Sequence, residues 1–203
     1  AVRGHLAEFG IIAPQGPSKA LELIAQLREG AHEDLPDVAR TVLLGIGVQL
    51  DALGTQIHDL ERQLLAWHRQ DEVSRRLETI PGVGILTATA LAASVPDTSV
   101  FRSGRQFAAF LGLTPRQNSL GGKDKLGRIS KMGDGYLRRL LVIGATSVIR
   151  RAYTNPSATG AWVRSLLTHK SKRLTTVAMA NKTARIAWAV MARGETYRAP
   201  VMA

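Results

Sequence analysis

From Leu43 onward, apolar residues recur at alternating intervals of three and four: Leu43, Ile46, Leu50, Leu53, Ile57, Leu60, Leu64 and Trp67. That spacing predicts a long helix with one apolar stripe, starting near Pro36-Asp37 and running to about Arg76. Gln49, Asp51, Gln56, Asp59, Arg62 and Gln63 fall off the stripe. A seam of about four heptads on an otherwise polar helix predicts a coiled coil; the alternative is an amphipathic helix packed on its own domain. Gly45, Gly47 and Gly54 each weaken such a helix by about 1 kcal/mol relative to alanine, so stability has to come from the seam. Ahead of it, Ser18, following Pro14-Gln15-Gly16-Pro17, is the expected cap of a short helix ending near Glu29-Gly30.

Residues 77–203 follow a different pattern, short helical segments punctuated by Gly, Pro and basic residues. Ser103 is placed to cap a helix through Phe107 and Phe110. Residues 134–152 predict a helix with Leu137, Leu140, Leu141, Ile143 (or Gly144) and Val148 inward, and Arg138, Arg139, Arg150 and Arg151 on its outer side or end. Two further helices are expected over 157–168 and 174–193, and the one candidate for β structure is a short hairpin around 113–131. The predicted fold is mainly α: a long coiled-coil helix followed by a compact helical domain with a helix-hairpin-helix-like element and a short β-hairpin. The domains divide as 1–76, a helical linker and dimerisation region, and 77–203.

Composition narrows the chemistry. Of 203 residues 45% are hydrophobic, enough for a real core. The absence of cysteine excludes disulfides, thiolate metal sites and a cysteine nucleophile. No stretch is read as reaching the roughly 18 apolar residues of a membrane span, and the N-terminus has no signal-peptide pattern. The chain opens at Ala1 on what reads as the end of a helix, so it is expected to be a segment of something longer. Charge is informative once located. Residues 1–80 carry 8 basic and 12 acidic side chains, net −4, whereas residues 81–203 carry 19 basic side chains against Asp97, Asp124, Asp134 and Glu195, net +15. So sharp a break points the C-terminal part at a polyanion, nucleic acid before others; a basic surface kept for solubility is the alternative.

Two segments can carry that contact. In Pro81-Gly82-Val83-Gly84, the paired glycines allow a tight turn and close approach to a ligand. The helix that follows offers unpaired N–H groups to an anion. The element resembles a helix-hairpin-helix; the alternative is an ordinary helical corner packed through its Ala-rich 88–93 stretch. The second segment, Gly112 to Asp134, is polar and glycine-rich, with Arg116, Lys123, Lys125, Arg128 and Lys131 around two serines, Ser119 and Ser130. A serine among fixed cations can attack a phosphodiester, because the charges favour the alkoxide and steady the phosphate; the alternative is a phosphate-binding loop whose serines only donate hydrogen bonds. The histidines (5, 32, 58, 68 and 169) show no metal-ligand spacing. Trp162 and Trp188 sit among apolar neighbours, which favours packing over base stacking, and Tyr136 reads as the start of a packed helix. The run His169 to Arg173 suits either a backbone phosphate or a solvated turn.

Five blocks in order then carry a resemblance: Pro81 to Gly84, Phe101 to Gln117, Ser119 to Lys123, Ile129 to Leu141, and Ala180 to Trp188. Together they resemble the C-terminal transposase domain of the IS-one-ten/IS-eleven-eleven group of insertion-sequence proteins over roughly residues 77–195, preceded by that group's coiled-coil linker. The resemblance implies an RNA-guided DNA recombinase. Its N-terminal RuvC-like domain binds a divalent metal (Mg) through acidic residues and lies outside this chain, in which no cofactor is expected. Its bridge RNA pairs with donor and target DNA. It also implies a bacterial, cytoplasmic and nucleoid-associated setting, with no membrane partner, and a homo-oligomer, at least a dimer, through the coil. By position Ser119 matches the catalytic serine, with Ser130 the runner-up; the family has a second small polar residue where Leu120 stands. Gly82, Val83, Gly84, Arg102, Arg105, Arg116, Lys123, Lys125, Arg128, Lys131, Arg138 and Arg139 are the expected nucleic-acid contacts. The competing function is a non-catalytic binding and dimerisation module, with cleavage left to the RuvC-like domain.

Overall fold

A computed structural model describes residues 2–12, 14–118, 126–154 and 156–199. The described chain is mainly helical with one two-stranded antiparallel sheet. It divides into two units, Ala1–Gln63 and Leu64–Ala203.

In the first unit, Val2 and Leu6 of α1 (Val2–Glu8) and Leu23, Ile24 and Leu27 of α2 (Pro17–Arg28) form one buried cluster. Leu35 and Leu43 complete it, the latter from α3 (Asp37–Gln70). Helix α2 starts ahead of the expected cap: Gly16 is the N-cap and Pro17 takes the first position, leaving Ser18 inside the helix. The pyrrolidine ring explains the shift, since its fixed φ suits a first turn and its missing N–H would be unpaired there anyway. Arg40 closes the α2–α3 connection, donating to the carbonyls of Leu27 (3.0 Å), Ala31 (3.1 Å) and His32 (2.7 Å).

The apolar stripe of α3 is divided, which corrects the expectation of one uniform seam from Leu43. Leu43 is buried and Ile46 and Leu50 pack against the unit's own cluster. Leu53, Ile57 and Leu60 are 54%, 54% and 62% exposed. Gly47 has a packing reason: a Cβ there would run into Ile24 of α2, so close approach outweighs helix propensity. The expectation that no stretch is apolar enough for a membrane span is corrected here: one 18-residue window of α3 reaches a mean hydropathy of 1.2, long and apolar enough by composition to cross a membrane, with 11% of it buried. The same helix carries Asp51, paired with Arg28 of α2, and its apolar positions are one-sided.

In the second unit the helix expected to reach Arg76 stops at Gln70. The Asp71 backbone is extended and its carboxylate accepts from Ser74 N at 2.6 Å, capping a new helix, α4 (Glu72–Glu78). His68 holds the joint: Nδ1 lies 2.7 Å from Ser74 Oγ and Nε2 lies 2.9 Å from Glu78 Oε2, with the imidazole 4% exposed. The remaining elements are α5 (Ile85–Ser94), α6 (Gly104–Phe110), β1 (Pro115–Gln117), β2 (Leu126–Ile129), α7 (Gly135–Arg150), α8 (Ala158–Leu167) and α9 (Lys172–Arg193). Helix α9 is central, packing on α4, α6, α7 and α8 through a stripe of Met179, Ala180, Ala184, Ala187 and Val190. Its small side chains let neighbouring helices approach closely. Asp134 caps α7 by accepting from Tyr136 and Leu137 N–H, and Leu137, Leu140, Leu141, Ala145 and Ile149 face inward. Ile143 is 57% exposed, so of the two positions considered for that turn Gly144 is the one facing the core. Tyr136 begins α7 as expected, with its ring exposed rather than packed.

Candidate nucleic-acid interface

Strands β1 and β2 pair antiparallel, with Pro115 opposite Ile129 and Gln117 opposite Leu126. Ser119, Lys123 and Lys125, in the connection between them, lie outside the described residues. The base of the hairpin is tightly bonded. Ser130 N donates to Thr114 O (2.9 Å), Arg116 Nη2 to Ser130 O (3.1 Å) and Met132 N to Ser130 Oγ (3.4 Å). Gly112 and Gly133 both have positive φ, and a Cβ on either would strike the facing turn's backbone, Met132 and Phe110 respectively. Arg138 spans this contact, donating to the carbonyls of Leu111 (3.0 Å) and Met132 (3.1 Å), so its guanidinium stitches the turn to the end of α6. Arg139 is exposed beside it.

Beside the hairpin lies a groove of about 1640 Å³. Pro115, Gly127, Arg128 and Ile129 form one wall, Ser103 to Arg105 at the start of α6 another, and the outer face of α9 the floor. That face follows helical spacing through Leu174, Val177, Ala178, Asn181, Arg185 and Ala189. Among the described residues six cations line the groove (Arg105, Arg128, Lys131, Arg173, Lys182 and Arg185) and no carboxylate does. Among the described residues every ion pair involves groups before residue 79, and none pairs one of these six cations with a carboxylate. Lys182 Nζ stands 4.2 Å from the centroid of the Trp162 ring. Partial burial holds its ammonium below the usual lysine range. Asn181 Nδ2 donates to Leu113 O (3.2 Å), tying the floor to the hairpin's entry. Gly104 is buried, and a Cβ there would come within 2.9 Å of Arg185 O, which fixes α6 on α9.

The glycine turn between α4 and α5 is elsewhere. Gly82 has φ 84, and a Cβ on it would lie 2.8 Å from both Gly144 O and Val148 Cγ2; the turn rests on α7 backbone to backbone. Val83 is buried and its N–H donates to Ile80 O (2.9 Å). Gly84, the N-cap of α5, is exposed with nothing within 4 Å of its Cβ position.

The structure thus brings Arg105, Arg128 and Lys131 to one groove. Arg116 and Arg138 bond backbone carbonyls near it, and Arg102 is exposed ahead of α6, its N–H donating to Gln106 Oε1 (2.7 Å). The groove also holds Lys182 and Arg185, which sequence reasoning did not single out. Their signal was the polar pair at i, i+3 interrupting the apolar spacing of α9. Trp162 and Trp188 pack against the core as expected and also line the groove. Among the described residues no group of three or more His, Cys, Asp or Glu could hold a metal ion.

Residues 74–160 match the family described as Transposase IS116/IS110/IS902. The y4pF/y4sB protein of Sinorhizobium fredii is 43% identical over 199 residues, 98% of this chain and 51% of the relative. The transposase for insertion sequence element IS1111A of Coxiella burnetii is 36% identical over 197 residues, 97% of this chain and 54% of the relative. That for IS1328 of Yersinia enterocolitica is 38% identical over 196 residues, 97% and 58% respectively. The chain spans about half the length of the curated relatives it matches.

Proposed function

The chain belongs to the IS116/IS110/IS902 transposase family, and from that premise we propose that it supplies the serine nucleophile of an RNA-guided DNA transposase, together with a surface for DNA and the guiding bridge RNA and a helix for self-association. The observation that carries the reading is the hairpin. Ser119 follows directly on Asn118, in the connection between two strands that bear Arg116 and Arg128. Ser130, the competing serine, accepts from Met132 N at the hairpin base, a structural task that supports assigning the chemistry to Ser119. The Ser119 oxygen forms a bond to phosphorus as the bond to the departing strand's oxygen breaks; the serine proton is given up and the departing oxygen leaves as a hydroxyl, so a phosphoserine keeps the phosphoester for rejoining. Nearby guanidinium groups steady the extra negative charge of the transition state.

The divalent metal implied by the family belongs to the RuvC-like domain, and no step here runs through it. The Leu53, Ile57 and Leu60 stripe supplies the seam for a second copy. The setting is the bacterial cytoplasm, on the nucleoid. The test uses a protein that carries this chain together with the RuvC-like domain. Ser119→Ala retains nucleic-acid binding and yields no covalent protein–DNA adduct by mass spectrometry of a trapped reaction. An adduct that persists at Ser130 moves the nucleophile there; recombination at the wild-type rate leaves the chain as a binding module.

A further inference from the structure

The Ala180 to Trp188 block has no role in the chemistry just proposed, yet Asn181, Lys182, Arg185, Ile186 and Trp188 all turn toward the groove. We infer that this groove is a channel for an unpaired nucleic-acid strand, with Lys182, Arg185 and Arg173 of α9 holding its backbone and Trp162 and the apolar floor receiving its bases. The inference rests on the nucleic-acid reading above and deepens it by naming the strandedness and the residues.

Three properties of the groove select that ligand. Its size exceeds the ~300–1,000 Å³ of a small-molecule pocket, which leaves room for a polymer or a long segment. Among the described residues its six cations have no carboxylate beside them, which selects a polyanion over an apolar or basic peptide. Its floor is apolar, built from Leu174, Val177, Ala178 and Ile186 with the Trp162 ring at its edge. A duplex turns phosphates and sugars outward and has nothing to place on such a floor. A single strand carries phosphates along one side and bases along the other, which is the combination that cationic grooves with aromatic platforms accept. DNA and RNA strands share this chemistry.

Lys182 fits the role. Its ammonium is partly stripped of water, covers the indole ring and has no carboxylate partner among the described residues. An arriving phosphate offers that charge an anionic partner, and its departure from the ring uncovers the indole for stacking.

The experiment titrates the 203-residue chain into fluorescein-labelled 20-nucleotide single-stranded DNA, single-stranded RNA of the same sequence, and the corresponding DNA duplex, at fixed salt, by fluorescence anisotropy. Tryptophan emission is followed in parallel. The single strands are expected to bind at least tenfold tighter than the duplex. Lys182→Glu with Arg185→Glu weakens single strands tenfold or more. Arg193→Glu, on the exposed end of α9 outside the groove, changes the charge as much as Arg173→Glu and half as much as the pair, and alters binding less than twofold. Single strands quench tryptophan emission, and most of the quenching disappears in Trp162→Phe. Arg173→Glu, on the rim, repeats the loss in case the paired substitution disturbs α9, and circular dichroism checks each fold. Wild-type single-strand affinity in both groove variants overturns the inference while leaving nucleic-acid binding by the domain intact. Preference for the duplex overturns it too. If none of the three probes binds, the nucleic-acid reading itself fails with it.

Discussion

The contact between Gly82 and Gly144 makes a quantitative prediction about why the glycine turn exists. In Gly82→Ala the new methyl must occupy a left-handed backbone, φ 84, at a cost of about 1–2 kcal/mol. It also meets Gly144 O and Val148 Cγ2 at 2.8 Å, overpacking that costs a further ~1–3 kcal/mol. The expected loss is about 3 kcal/mol. At roughly 4 °C per kcal/mol for a unit of this size, the melting temperature falls by about 12 °C. Gly144→Ala lies across the contact on α7 and gains about 1 kcal/mol of helix propensity, but its Cβ strikes the Gly82 carbonyl, a backbone atom with little room to yield. A net loss of about 2 kcal/mol is expected there. One separation of the turn from α7 relieves both methyls, so the double variant loses less than the sum of the singles. Gly84→Ala, in open space at an ordinary backbone angle, changes stability by under about 1 kcal/mol. The assay is thermal melting followed by circular dichroism, with nucleic-acid affinity measured on the same samples. If Gly82→Ala and Gly144→Ala both melt within about 2 °C of the parent, or their effects simply add, the packing account of this turn is wrong.

Other perturbations separate structural from functional roles. Leu53→Asp with Leu60→Asp, on the exposed stripe, converts an oligomer to monomer by light scattering without loss of helix. Leu43→Asp instead unfolds the first unit, because that side chain is 2% exposed. Retained oligomer in the first variant would remove the seam. His68→Ala strips Ser74 Oγ and Glu78 of their partner at a buried site, costing about 2–3 kcal/mol by urea unfolding; a loss under about 0.5 kcal/mol refutes the joint. Arg138→Ala loses about 1–2 kcal/mol because backbone carbonyls lose a charged donor, while Arg139→Ala leaves stability unchanged and weakens nucleic-acid binding. Equal stability in the two variants contradicts the assignment.

The elements themselves were readable because their signals are local. Ser103 caps the helix that its position announces, and the three-four spacing of α3 marks a real helix. What escaped depends on which surface meets which. Nothing within α3 says that Leu43, Ile46 and Leu50 join the first unit's cluster while Leu53, Ile57 and Leu60 are left exposed; that depends on the short helices that precede it. Asp71 reads as one more polar residue until its carboxylate is seen closing on Ser74 N–H. In so basic a domain the sequence favours a ligand approach at Gly82, and the nearness of Gly144, which only the fold reveals, gives the same glycine a packing reason. Arg138 and Arg139 are indistinguishable as neighbours in sequence, yet a helix turns them 100° apart, and one finds carbonyls while the other finds solvent.

The two proposals meet at β2. Gly127, Arg128 and Ile129 wall the groove, and the same strand begins immediately after residues 119–125, which contain Ser119. On those two proposals a strand lying along α9 would run beside the hairpin proposed to bear the nucleophile, and Arg128 of that hairpin lines the groove. The arrangement suits a reaction in which the backbone to be cut must be unpaired and held before attack, because holding converts a bimolecular collision into a positioned one. It also gives the two kinds of variant opposite signatures. Removing the Ser119 hydroxyl abolishes the adduct and spares affinity. Reversing Lys182 and Arg185 lowers affinity, and at saturating strand concentration the adduct returns, because the nucleophile is untouched. If saturation fails to restore it, the α9 cations act on the chemical step itself, and the division between a gripping floor and a reacting hairpin does not hold.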